Sequence, residues 1–267
     1  QVEILLERAE LLEEEFDQPA EAIADYRQVL EREPLNEPAL ESAKRLYRDE
    51  EDFHSLYDVL NHEAGHVDSE EEALALYERM ATLAEERMGS PELALEAREQ
   101  AYRLRPEDLD VAEALIRKFM DAGRTDDARP VLDDLVSRLG DSGDDEAFVR
   151  FEHLRGQLAE KQGEYEAALE CYESVHRRDN EYIPNLLSLG KLSYRHGDWE
   201  EAKNIFQKLL LHQMKLESDA QKVDVYHYLG LIRREMGDGR RARDMFNRAL
   251  SIDPDHEPSL TAMEETQ

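Results

Sequence analysis

Cysteine is almost absent. Cys171 is the only one in 267 residues, so no disulfide within the chain can staple the fold. Glycine (12) and proline (9) are scarce and recur at intervals, which argues against two ordinary domains joined by a linker. No apolar run approaches the roughly 20 residues that cross a bilayer, so no membrane insertion is expected. Basic residues are also few, 33 against 64 acidic, leaving a formal charge of −31. A chain of that sign offers no field to hold a nucleic-acid backbone or an anionic membrane. The N-terminal QVEILLERAELLEEE is acidic and amphipathic, unlike a secretory signal. It does not begin with Met, and we read the sequence as a piece of a longer protein. The cytoplasm is its expected location, with the periplasm as the alternative if a targeting segment stood ahead of it. Arginine exceeds lysine by 25 to 8, which points towards a GC-rich bacterial source.

What the chain has is a repeat. From Val223 to His256, apolar residues at helical spacing run through Tyr226, Leu229, Ile232 and Met236. Gly237 breaks the helix, a second set follows at Ala242, Phe246, Ala249 and Leu250, and Pro254 closes the unit. Aligned on the turn, seven units begin near residues 3, 37, 75, 109, 149, 183 and 223. The turn position holds Asp17, Glu51, Gly89, Gly123, Gly163, Gly197 and Gly237, glycine being the usual left-handed helix stop. Five residues later stand Ala22, Leu56, Ala94, Ala128, Ala168, Ala202 and Ala242, where a small side chain lets two helices approach. Four further on come Tyr26, Leu60, Arg98, Leu132, Tyr172, Phe206 and Phe246, and a glycine precedes the last three units' turns at Gly156, Gly190 and Gly230.

This order, at a period of 34, resembles the tetratricopeptide repeat. The resemblance implies an all-α, right-handed superhelical solenoid of stacked antiparallel helix pairs. It would span 1–267 as one domain of about seven repeats, with a partial eighth from residue 257. Two such helices bury little alone, so each unit needs its neighbours. Every second unit is longer, with extra residues around Val67–Glu72, Asp141–Glu146 and Glu217–Lys222 that are expected along one edge. Their serine or aspartate followed by acids equally suits an N-cap for the next helix. Cys171 is expected to be a small packed residue and Trp199 to pack its hairpin, while Ser259 is expected to tolerate substitution. Charge is uneven: residues 1–148 carry a net −26 and residues 149–267 a net −5, which suggests a functional split near 143–148.

One catalytic motif is present in letters. His62-Glu63-Ala64-Gly65-His66 reads HExxH, whose helical form holds Zn²⁺ between two imidazoles with the glutamate as general base. A zinc metallopeptidase, with Glu85 or Glu86 as third ligand, is therefore the alternative function. The bland reading is a chance match in a chain with nine histidines and abundant glutamate, at the fraying end of a second helix. Phosphate-cradling glycine loops, CxxC and a nucleophile elbow are all missing. We therefore expect no enzyme, no catalytic or metal residues and no cofactor.

Tetratricopeptide arrays generally bind a peptide or helix in a concave groove lined by the first helix of each unit. By that resemblance, the groove candidates are Arg150, His153, Gln157, Leu187, Lys191, Tyr194, Arg195, His227 and Arg234, a basic stretch within an acidic chain. Earlier units offer mixed charge there, including Glu14, Arg45, Arg48, Arg79, Arg87, Glu113 and Arg117. The lysine–asparagine pair with which one subset of the family clamps a C-terminal carboxylate does not occur. The expected function is a non-enzymatic scaffold or adaptor whose partner is a protein or peptide, with an acidic amphipathic segment the best fit. A passive spacer in a larger assembly is the other alternative, in which the basic residues merely pair with neighbouring acids. Oligomeric state, pathway and partner identity are not written in the sequence.

Overall fold

All seven turn positions share one backbone conformation. Asp17, Glu51 and the five glycines Gly89, Gly123, Gly163, Gly197 and Gly237 have φ between 51° and 85°, the left-handed region. Two non-glycine residues thus accept a backbone that glycine adopts without steric cost. The repeat register read from the sequence is therefore the register of the backbone.

The computed structural model describes residues 1–211, 216 and 218–266, and these are all-α, with no strand among them. They fall into two compact units, Gln1–Arg124 and Thr125–Gln267. The first contains α1 (Val2–Glu14), α2 (Pro19–Leu30), α3 (Glu37–Asp49), α4 (Phe53–Ala64), α5 (Glu70–Leu83), α6 (Pro91–Leu104) and α7 (Leu109–Asp121). The second contains α8 (Thr125–Ser142), α9 (Asp145–Lys161), α10 (Tyr165–Arg178), α11 (Ile183–His196) and α12 (Trp199–Leu211), then α13 (Asp219–Glu235), α14 (Gly239–Ile252) and α15 (Glu257–Glu265). Within each unit every helix packs on the next, and α9, α11, α13 and α15 also touch in succession. That is the contact order of stacked helix hairpins.

The small-residue position behaves as its chemistry requires. Ala22, Ala94, Ala128, Ala168, Ala202 and Ala242 are at most 1% exposed. Tyr26, Leu132, Tyr172, Phe206 and Phe246, four residues on, are equally buried, each worth about 1.5–3 kcal/mol of transfer free energy. In the last three repeats these rings fill the gap left by a glycine. A Cβ on Gly156 would meet Tyr172 at 2.4 Å, and one on Gly190 would meet Phe206 at 2.9 Å. Arg98 departs from the apolar pattern and is held by Glu85, at 3.0 and 3.1 Å.

The extra residues of alternate units lead into the next first helix and supply its first turn. Helices α5, α9 and α13 start at Glu70, Asp145 and Asp219, four or five residues ahead of the unit starts at 75, 149 and 223. Their caps are Ser69, Asp144 and Ser218, which accept from the backbone N–H groups of Glu72, Ala147 and Gln221 at 3.3, 3.0 and 3.3 Å. Glu217, the first residue of the third insertion, lies outside the described residues. Cys171 is packed, 6% exposed, and burial pushes its thiol pKa up. Trp199 opens α12 and is 37% exposed. One expectation needs correcting. Ser259 is fully buried, because the first turn of α15 lies against α13.

Candidate protein-binding surface

The nine groove candidates sit on α9, α11 and α13, all in the second unit. Sequence proximity put cations together there, and the fold brings an acid to most of them. Lys191 Nζ lies 2.6 Å from Asp224, and Arg195 pairs with Glu160, which also accepts from the Tyr172 hydroxyl. Arg234 reaches Glu265 at 2.8 Å, and the Arg150 guanidinium lies over the Phe151 ring at 5.2 Å. The excess of positive charge that suggested an acidic ligand here is thus largely neutralised by pairing between repeats. Ion pairs of this exposed kind contribute little individually.

His153 and His227 occupy the same repeat position and do the same thing. Both are buried, at 4% and 8% exposure. His153 Nδ1 faces Asn185 Oδ1 at 3.4 Å, and Asn185 Nδ2 donates to the Tyr172 carbonyl at 2.9 Å. His227 Nδ1 faces Ser259 Oγ at 3.0 Å, and His256 Nδ1 meets the same hydroxyl at 2.8 Å. Burial, followed by the charge of His256, lowers the His227 pKa to about 4. These imidazoles join one repeat to the next and are withdrawn from any partner. Gln157, Leu187 and Tyr194 remain half-buried at the surface. Tyr228, which the groove positions omit, gathers Tyr194 edge-on at 5.7 Å, Phe206 stacked at 5.2 Å and Lys191 Nζ at 5.5 Å. Its only sequence signal was an aromatic residue one place beyond a groove position.

Family models for the tetratricopeptide repeat match residues 153–210 and 182–255. Residues 153–255 are tetratricopeptide repeats. Both matches fall in the second unit, where the glycine–aromatic pairs are intact. No curated protein matches the sequence. Among solved structures, a tetratricopeptide repeat protein from Parabacteroides merdae is 16% identical with a TM-score of 0.50, covering 99% of this chain and 98% of that one. The C-terminal part of a repeat-containing protein from Cytophaga hutchinsonii is 15% identical with a TM-score of 0.57, covering 98% of each chain. The Cut9–Hcn1 hetero-tetramer of the APC/C gives 17% and 0.57, over 99% of this chain and 48% of that one. At such identities the likeness is one of fold.

The HExxH letters straddle the end of α4, with the two imidazole rings 4.4 Å apart between centroids. His62 and Glu63 lie in the last turn of α4, while His66 lies beyond the helix, its Nδ1 2.7 Å from the His62 carbonyl oxygen. Glu63, which would be the general base, binds Lys44 through both oxygens, at 3.1 and 3.2 Å. Lys44 is 4% exposed and also meets Glu41 at 2.7 Å. Glu85, one candidate third ligand, is taken by Arg98 and Lys118. Among the described residues no group of three or more His, Cys, Asp or Glu is arranged to hold a metal ion.

Proposed function

We propose that this protein is a non-enzymatic interaction scaffold that holds a protein segment against the first helices of its repeats. What supports the reading is the surface of α9, α11 and α13. The ionic side chains there are tied between repeats, and Leu187, Tyr194 and Tyr228 are left half-buried among them. Aromatic residues on a rigid, pre-paired frame suit partner binding, because little side-chain freedom is lost on contact. Apolar contact supplies the affinity, and the fixed charges set register.

The test is affinity capture of cellular proteins on the immobilised chain, followed by a binding titration with each retained protein. Tyr194→Ala/Tyr228→Ala should weaken binding at least tenfold, about 1.4 kcal/mol, with its melt monitored in parallel. Lys191→Glu/Arg195→Glu should weaken it too, by setting like charges against Asp224 and Glu160. Equal binding by both variants would sink the groove reading and leave the passive spacer.

A further inference from the structure

Three guanidinium groups of the first unit stand together without an acid. A cleft of about 530 Å³ opens between α3, α4 and α5, and Arg48, Arg79 and Arg87 stand around it. All three are exposed. Among the described residues, none has a carboxylate oxygen within 4.0 Å. Arg45, Arg98 and Arg105 of the same unit each have one. Arg48 and Arg79 act on Glu41 only through space, helping to lower its pKa after the larger effect of Lys44.

This isolation occurs in the half of the chain that carries a net −26, where an acid is the commonest neighbour. Among the described residues Arg27 and Arg32 lack one too, but Arg48, Arg79 and Arg87 share a single cleft. The cleft lining includes Glu78 and Glu86, yet its three arginines outnumber them. Each guanidinium keeps planar donors suited to a carboxylate. Below them lie Leu83, which is half-buried, and the more deeply set Leu56 and Leu60. The volume falls within the range of ligand clefts, roughly 300–1,000 Å³.

The backbone is unusual at the same place. Residues Ala84–Met88 continue α5 as a single π-helical turn, closed by Gly89 at φ 61°. Such turns are rare and collect at functional sites. Here Glu86 and Arg87 line the cleft, while Glu85 turns the other way to Arg98 and Lys118. The Arg87 guanidinium rests over the Phe53 ring, 4.9 Å from its centroid, which holds the arginine without neutralising it.

We propose that this cleft binds an acidic protein segment with one aliphatic or aromatic side chain between carboxylates. The apolar side chain enters towards Leu83, and the carboxylates take the donors of Arg79, Arg48 and Arg87. The inference rests on the scaffold reading but places acid recognition in the first unit. A polyanion such as nucleic acid does not fit, because the surrounding net charge repels it.

The probe is a short fluorescent peptide with one central phenylalanine flanked by glutamates, followed by fluorescence anisotropy. Two further peptides replace the glutamates with lysine or glutamine. The acidic peptide should bind best, and less tightly as salt is raised. Arg79→Glu/Arg87→Glu should weaken it at least roughly tenfold. The charge-neutral Arg79→Gln should weaken it less, and Lys191→Glu/Arg195→Glu not at all. Melts of the exposed-site variants separate binding from folding. Equal binding of the acidic and lysine peptides, or an unchanged affinity in Arg79→Glu/Arg87→Glu, overturns the proposal. Self-association of the intact chain that disappears in that variant also overturns it, by making a second copy the occupant. If these arms fail while Tyr194→Ala/Tyr228→Ala still releases a native partner, the scaffold reading survives alone.

Discussion

Gly230 lies against the face of Phe246. A Cβ built on Gly230 would sit 2.4 Å from Phe246 Cε1, closer than any side chain tolerates. The aromatic ring of the second helix fills the space that the first helix leaves, so the two residues form one packing unit.

Gly230→Ala should therefore overpack that contact and cost about 1–3 kcal/mol. Gly156→Ala should be similar, and Gly190→Ala milder, since its nearest contact would be 2.9 Å rather than 2.4 Å. Urea denaturation of the three variants checks the order. Phe246→Leu placed on Gly230→Ala should recover part of the loss by freeing space.

The two non-glycine turns should be improvable. Glu51 and Asp17 hold φ of 56° and 51°. Glu51→Gly removes a steric penalty but frees the unfolded chain, so the net gain should be about 0.5 kcal/mol. Gly123→Ala, at φ 72°, should lose about 1 kcal/mol. Thermal melts that fail to move in opposite directions would contradict this account of the turns.

Glu63 should matter for stability rather than catalysis. Glu63→Ala leaves the buried Lys44 ammonium with only the exposed Glu41. The cost should be about 2 kcal/mol, below the roughly 3–5 kcal/mol of a fully stranded buried charge. Lys44→Met/Glu63→Leu should restore most of it. Added zinc should leave the wild-type melting temperature unchanged, and a zinc-dependent rise lost in Glu63→Ala would reopen the metal reading.

Acid should loosen the contact between α13 and α15. Folding lowers the His227 pKa from 6.5 to about 4, so between those values the unfolded chain binds the extra proton. Stability is thus undiminished above 6.5 and falls with pH until about 4, by on the order of 3 kcal/mol from this residue. Asp224 opposes that loss, while His256, Arg234 and Lys191 add to it. Melts of wild type and His227→Asn between those pH values should converge as pH drops. Parallel curves would assign the acid sensitivity to the carboxylates instead.

The sequence by itself determined the repeat. A left-handed turn, an alanine five residues later and a ring four beyond that are short-range steric demands, legible wherever the letters occur. Even Asp17 and Glu51 obeyed the register without the usual residue. The helix caps at Ser69, Asp144 and Ser218 were legible for the same reason. What only the tertiary structure decided is the fate of the polar side chains. Lys191 and Asp224 are 33 residues apart, Arg195 and Glu160 35, His227 and Ser259 32. Which of them meet depends on how one repeat is rotated and shifted on the next. Spacing within a helix says nothing of that, because a charge on a helix face has several acids within reach of its rotamers. Stacking selects the partner, and at Arg48, Arg79 and Arg87 it selects none.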